Sequence, residues 1–195
     1  MGLEKGNGDA KTAPELRTPR LWLRGWHSGD LEAFCRLNAD PEVMRYFPRV
    51  LTEEESWAAA ARIAAHFARH GFGLWAVEIP GVVEHAGFVG ISMPPFEARF
   101  TPCVEIGWRL AREYWGHGYA TEAARAVLEF GFGRLGLEEI VAFTVPANTR
   151  SRRVMEKLGM RRRPEDDFDH PQIAVDSPMR RHVLYRIARG GWRGD

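Results

Sequence analysis

A chain of 195 residues with 45% hydrophobic and 27% charged side chains can form one domain with a full core, and its composition excludes a fibrous or wholly disordered protein. Lys and Arg total 27 against 26 Asp and Glu, a formal charge of +1, which excludes the strong basic field of a general nucleic-acid or membrane-surface binder. Two cysteines, Cys35 and Cys103, are too few for a disulfide framework or a metal cluster and read as small buried hydrophobes. No run approaches the roughly 20 apolar residues of a membrane span, and the N-terminus lacks an apolar signal core. A cytoplasmic location is therefore expected.

In chain order, residues 1–14 read as a disordered tail ahead of a single domain over 15–190. Leu21 and Leu23 alternate with Trp22 and Arg24 as in a half-buried strand. Ser28 is placed to cap a helix from Asp30 to Asn38, and Asp40-Pro41 to open a second short helix through Tyr46 that Pro48 ends. Thr52 and Glu55 have capping-box spacing, and the alanine-rich helix after them carries Trp57, Ile63 and Phe67 until Gly71 stops it. Trp26, Trp57, Trp75 and the methionines read as core or cleft wall. Strands follow at 73–79, 85–93 and 103–110, the first two joined by a turn at Pro80-Gly81.

The third strand runs into Trp115-Gly116-His117-Gly118-Tyr119-Ala120-Thr121 and then a helix from Ala120 to Leu135, closed by Gly136. Glycines in such a loop let backbone N–H groups converge, and the helix adds its unpaired first-turn donors and positive dipole end. That is a cradle for an anion such as a diphosphate; the plain alternative is a tight strand-to-helix turn. An apolar strand at 140–145, a helix from Thr149 to Leu158 closed by Gly159, a polar loop at 164–178 and a strand at 182–187 complete the chain. Antiparallel strands followed by a crossover unit predict an α+β mixed sheet in which 103–110 and 140–145 run parallel. Ligands of such sheets bind outside the carboxyl ends of parallel strands.

The loop resembles the acyl-coenzyme A loop of the GNAT N-acetyltransferase superfamily, whose Gln/Arg-x-x-Gly-x-Gly/Ala pattern falls on Trp115, Gly118 and Ala120. Trp115 departs from Gln or Arg in the manner of the group that acetylates ribosomal-protein N-termini. A second stretch, Val141 to Met160, resembles the superfamily's later signature, in which Asn148 opens a helix and Gly159 ends it. The resemblance implies that the two parallel strands splay at their C-terminal ends and admit pantetheine. It implies acetyl-coenzyme A as cosubstrate. Gly116, His117, Gly118, Tyr119, Ala120 and Thr121 would hold the diphosphate, with the strand backbone of Trp108, Arg109 and Leu110 and the Asn148 amide along pantetheine. Arg152 and Arg153 would stand near the phosphates, with a solvated helix face as their alternative.

Glu105 lies in an otherwise apolar strand, where an inward carboxylate costs stability unless it has a task. It is the general-base candidate, able to take the proton an acceptor ammonium must lose; the alternative is an outward glutamate. In the resembled group a Glu in this Glu-Ile-Gly context stands at the acceptor amine. The superfamily's usual thiolate-protonating Tyr falls on Met155, which has no proton to give; the resembled group tends to place a Ser where Ser151 stands, which makes Ser151 the substitute donor, with a plain polar residue in the helix's first turn as the alternative. Asp166, Asp167, Asp169 and His170 crowd the late loop; acyl transfer needs no metal, so with His182 they read as a receiver for a cationic acceptor.

The reading is acetyl transfer to a primary amine, on a protein N-terminus or a small molecule, by direct attack in a ternary complex. A non-catalytic acyl-coenzyme A binding module is the rival; a dinucleotide-binding domain lacks the βαβ context its fingerprint requires. Pairing into a homodimer through helices or an edge strand stays open.

Overall fold

The computed structural model describes residues 13–194. One nine-stranded sheet runs in the order β1 (Leu16–Arg17), β2 (Trp22–Arg24), β3 (Leu74–Ile79), β4 (Val83–Ser92), β5 (Glu105–Leu110), β6 (Glu139–Thr144), β9 (Arg181–Ala188) and β7 (Arg161–Arg162); β8 (Phe168–Asp169) also pairs with β9. Every pairing is antiparallel except β5 with β6.

That parallel pair shares a single register point, Glu105 with Val141, where the Val141 N–H donates to the Val104 carbonyl at 2.9 Å. Beyond it β5 continues to Leu110 and β6 to Thr144 unpaired with each other, so the strands splay toward their C-terminal ends. On its other edge β5 stays in continuous register with β4, from Ser92 opposite Glu105 to Gly87 opposite Leu110.

Side-chain alternation divides the sheet into two faces. On one, Trp75, Val89, Ile91, Ile106 and Ile140 pack with Ala124, Val127 and Leu128 of α3 (Tyr119–Glu129) and Met155 of α4 (Thr149–Lys157). On the other, Phe88 packs with Phe34 and Leu37 of α1 (Asp30–Ala39), and α2 (Glu53–His70) lies against α1. Further along that second face, Val141 and Leu184 join Phe96, Phe100, Phe143 and Phe168 in an aromatic cluster beside the Glu105 end of β5.

Several local expectations are corrected. Ser28 does not cap α1; Gly29 is the cap residue, and the Asp30 carboxylate accepts the His27 N–H at 2.9 Å while pairing with Arg24 at 2.9 Å. Burial opposes its ionisation, but the neighbouring His85 imidazole, 3.5 Å away, and hydrogen bonds from Arg24 and His27 hold it well below the usual carboxylate range. Residues 41–46 form turns, not a helix, because the Asp40 carboxylate takes the Glu42 N–H at 2.7 Å and closes an Asx turn. Helix α3 stops at Glu129 and passes through a π-turn, Phe130–Arg134, before Gly136. The tail expected over 1–14 lies mostly outside the described residues, but Ala13 and Pro14 are part-buried, and the Pro14 carbonyl accepts the Trp75 indole N–H at 2.6 Å. Trp57, 51% exposed, is cleft wall rather than core, beside Leu31 and Cys35, and Met93 is 42% exposed. The capping box at Thr52 and Glu55 and the left-handed Gly71 at the end of α2 are as read.

Candidate active site

The strand β5, the loop after it and the start of α3 form one continuous edge of the splay. An antiparallel ladder turns alternate residues toward each neighbour. Because Ala111 N–H donates to the Ala86 carbonyl at 2.8 Å, in the same register, residues 105, 107 and 109 present their peptide groups to β4. Ile106, Trp108 and Leu110 therefore present theirs to the gap. The Leu110 carbonyl is taken by the Trp115 indole at 2.8 Å, which leaves the Leu110 N–H and both Trp108 peptide groups facing the splay. Arg109 departs from the expectation: its peptide groups serve β4, and only its side chain is free for other work.

The loop is built to bring N–H groups together. Gly116 and Gly118 sit at φ 81° and 83°, in the left-handed region that favours glycine. Among the described residues no hydrogen bond takes the N–H groups of Gly116 through Thr121; the first intrahelical bond of α3 is from the Glu122 N–H to the Gly118 carbonyl at 3.0 Å. Open space lies where a Cβ on Gly116 would project, and at Gly118 the nearest atom is the Arg20 Nη2 at 3.5 Å. Clustered unpaired donors at a helix start suit a diphosphate, so these residues fit the coenzyme the sequence pointed to. His117 contributes its ring, stacked on Tyr119, rather than a hydrogen bond into the loop.

Arg20 is a site residue that the sequence did not disclose. From the turn between β1 and β2 it donates to the His117 carbonyl at 3.0 Å and to the Glu122 carboxylate at 2.7 Å, and Thr18 donates to the same carboxylate at 2.6 Å. Burial works against the Glu122 charge, but these donors hold its pKa below the ordinary value. Nearly a hundred residues separate Arg20 from this loop, so no local spacing could have signalled the link.

Glu105 stands at the base of the splay, part-buried, beside Val141. Burial pushes its carboxyl up to about 8. Cys103, on the same face, is pushed up to about 11 by burial and by the Glu105 charge, which leaves its thiol inert at neutral pH. On α4, Asn148 caps the helix by accepting the Ser151 N–H at 3.2 Å and donates to Thr144 at 3.0 Å, leaving one amide hydrogen uncommitted. Ser151 is part-buried in the first turn of α4, and Arg153 is exposed. Arg152 is committed to the Pro146 carbonyl at 3.1 Å and the Tyr185 hydroxyl at 3.3 Å.

Met155 is 2% exposed and packed in the main core. Met155→Tyr should therefore lower the melting temperature by overpacking, at about 1–3 kcal/mol, rather than add an acid; a thermal melt as stable as the parent's would place position 155 at the cleft.

The three clustered aspartates of the late loop are all ion-paired. Asp166 pairs with Arg186 at 2.9 Å, Asp167 with Arg162, and Asp169 with Arg181 at 3.3 Å. His170 and His182 pack among Phe96, Phe143 and Phe168, and burial lowers both pKa values, that of His170 to about 4. Neutral imidazoles and neutralised carboxylates make a poor receiver for a cation, contrary to the expectation from sequence. Among the described residues no group of three or more His, Cys, Asp or Glu could hold a metal, and no helix is long and apolar enough to cross a membrane.

Comparison with known proteins adds to this geometry. Residues 20–161 match the model of an acetyltransferase (GNAT) domain. An uncharacterized N-acetyltransferase, YnaD, of Bacillus subtilis is 34% identical, covering 75% of this chain and 82% of that protein. The FsC-acetyl coenzyme A-N(2)-transacetylase of Aspergillus fumigatus is 30% identical over 93% of this chain and 79% of its own length. The [Ribosomal protein uS5]-alanine N-acetyltransferase of Escherichia coli matches more distantly, 23% identical over 95% and 97% of the two chains. Among solved structures, a GNAT-family acetyltransferase from Bacillus anthracis superposes with a TM-score of 0.74 at 30% identity, covering 91% of this chain and 99% of that one.

Proposed function

This chain belongs to the GNAT acetyltransferase family and is an acyltransferase; from that premise we propose that it moves an acetyl group from acetyl-coenzyme A to a primary amine by direct attack in a ternary complex. The observation that carries the proposal is the placement of part-buried Glu105 at the last shared register point of the splayed strands, with its pKa raised by burial. A carboxylate that ionises near 8 takes a proton from an ammonium far more readily than one at 4.5.

Acetyl-coenzyme A, when bound, supplies an acetyl group already activated as a thioester. The N–H groups of Gly116 to Thr121 would hold its diphosphate, and Asn148 and the gap-facing peptide groups of Trp108 and Leu110 would align its pantetheine arm. Donors fixed in the strand need no reorganisation as charge develops on a carbonyl oxygen beside them. Glu105 accepts the amine proton, directly or through one water. Ser151 offers a hydroxyl proton to the departing sulfur, a light task because a thiol of pKa about 8.5 leaves readily near neutral pH. Ser151→Ala should consequently lower turnover less than about tenfold; a thousandfold loss in steady-state rate would make Ser151 an essential acid.

Candidate acceptors are protein N-termini and small-molecule amines; one relative is named for acetylating a ribosomal-protein alanine and another as an FsC-acetyl coenzyme A-N(2)-transacetylase. A panel of both kinds, assayed by thiol release with both substrates varied, tests the mechanism. Intersecting double-reciprocal lines are expected for direct attack, and parallel lines would indicate a covalent acetyl-enzyme instead.

A further inference from the structure

On the face of β5 turned toward α1, the side-chain positions read Glu105, Gly107, Arg109. Between the acid and the guanidinium β5 itself puts no side chain: a Cβ built on Gly107 meets nothing within 4 Å. The result is a hollow with a backbone floor, a carboxyl at one end and a cation at the other. Four residues of strand separate the ends, about 13 Å between backbones, shortened by the reach of two side chains.

Arg109 is in an unusual state for a buried cation. Among the described residues it has no carboxylate partner, whereas Arg24, Arg162 and Arg186 all do. Its Nη1 donates to Asn38 Oδ1 at 2.6 Å, its guanidinium lies 4.1 Å from the Phe47 ring centroid and 5.2 Å from that of Phe88, and its buried Nε has no hydrogen-bond partner. Nη2 makes no hydrogen bond and is not sealed from solvent. Asn38 is itself fully buried and held in orientation by Ser56 at 3.2 Å, so its oxygen stays aimed at the guanidinium. Burying an unpaired charge costs several kcal/mol unless a partner arrives. The surroundings fix the guanidinium in place and leave out its counter-ion.

We propose that the Arg109 side chain receives a carboxylate on the acceptor, so that the enzyme selects amines carrying an anionic group, laid across Gly107 with the amine at Glu105. The proposal rests on the acetyltransferase reading and narrows its acceptor class away from polyamines, consistent with the ion-paired Asp166, Asp167 and Asp169. Direct charge-assisted pairing with a desolvated arginine is worth roughly 10–100-fold in kcat/KM.

Matched acceptors test it: free amino acids against their amides, ornithine against putrescine, and short peptides with Glu against Gln after the N-terminal residue. Thiol release and product mass are measured with saturating acetyl-coenzyme A. The parent is expected to favour the carboxylate member of each productive pair by at least tenfold, and Arg109→Gln to bring that ratio close to one, whatever the variant's absolute rate. Gly107→Val, which has room for its side chain and whose peptide groups face β4, should raise the acceptor KM while leaving coenzyme affinity unchanged; it stands in if Arg109→Gln fails to fold. A parent indifferent to the carboxylate, or an Arg109→Gln variant that keeps the preference, overturns the proposal while leaving acetyl transfer intact. Acetyl-coenzyme A binding without transfer to any amine overturns the underlying reading, and this proposal with it.

Discussion

Glu105→Gln should reduce turnover at pH 7 by roughly 10²–10⁴-fold while leaving acetyl-coenzyme A affinity nearly unchanged. The amide keeps the size and hydrogen bonding of the side chain but cannot accept a proton. Glu105 lies at the base of the splay and its peptide groups face β4, so the substitution does not disturb coenzyme contacts. Raising the pH should return part of the lost rate, because the amine then arrives already deprotonated. A separate, structural readout has a definite sign. A carboxyl whose folded pKa is raised to about 8 from an ordinary 4.5 contributes stability that is full below about 4.5 and is lost as pH rises through about 8. The parent's melting temperature should thus fall between pH 5 and 9 more than that of Glu105→Gln. Equal turnover of the two proteins at pH 7 would remove Glu105 from the reaction.

Gly118→Val should weaken coenzyme A binding by at least about a hundredfold. Two effects add: φ of 83° strains a β-branched residue, and its side chain would press on the Arg20 guanidinium, whose Nη2 lies 3.5 Å from a Cβ at this position. Strain alone would tilt the loop and loosen the Arg20 bond to the His117 carbonyl. Calorimetry on the folded variant checks the result, with circular dichroism to confirm the fold. Binding as tight as the parent's would make the loop a turn and nothing more.

Sequence patterns carried the parts of this molecule that are local. Strand alternation, the Thr52–Glu55 capping box and the glycine stops are decided within a few residues, and the structure keeps them. At 41–46 the error was local, the Asp40 carboxylate closing a turn where a helix was expected; two others arose where a charged side chain pairs outside its own segment. Asp30 serves Arg24 and lies beside His85 rather than leaving capping to Ser28, and Asp166, Asp167 and Asp169 pair with arginines from β7 and β9. The candidate site divides along the same line. Glu105 and the glycine loop announced themselves by residue type, whereas the isolation of Arg109 depends on Asn38 from α1, Phe47 from the following loop and Gly107 leaving space beside it. Periodicity places Arg109 on a face but cannot say that no carboxylate meets it there.

In direct transfer, as proposed, there is no stage at which the protein itself carries the acetyl group. Intact-protein mass spectrometry during a single turnover, with acceptor mass and free thiol followed in the same samples, tests it most directly. One N-acetylated amine should form for each thiol released while the protein mass stays constant, in keeping with a Cys103 thiol held near 11 and with the raised pKa of Cys35. Thiol release accompanied by a protein one acetyl group heavier, chased to the parent mass on adding amine, would contradict it.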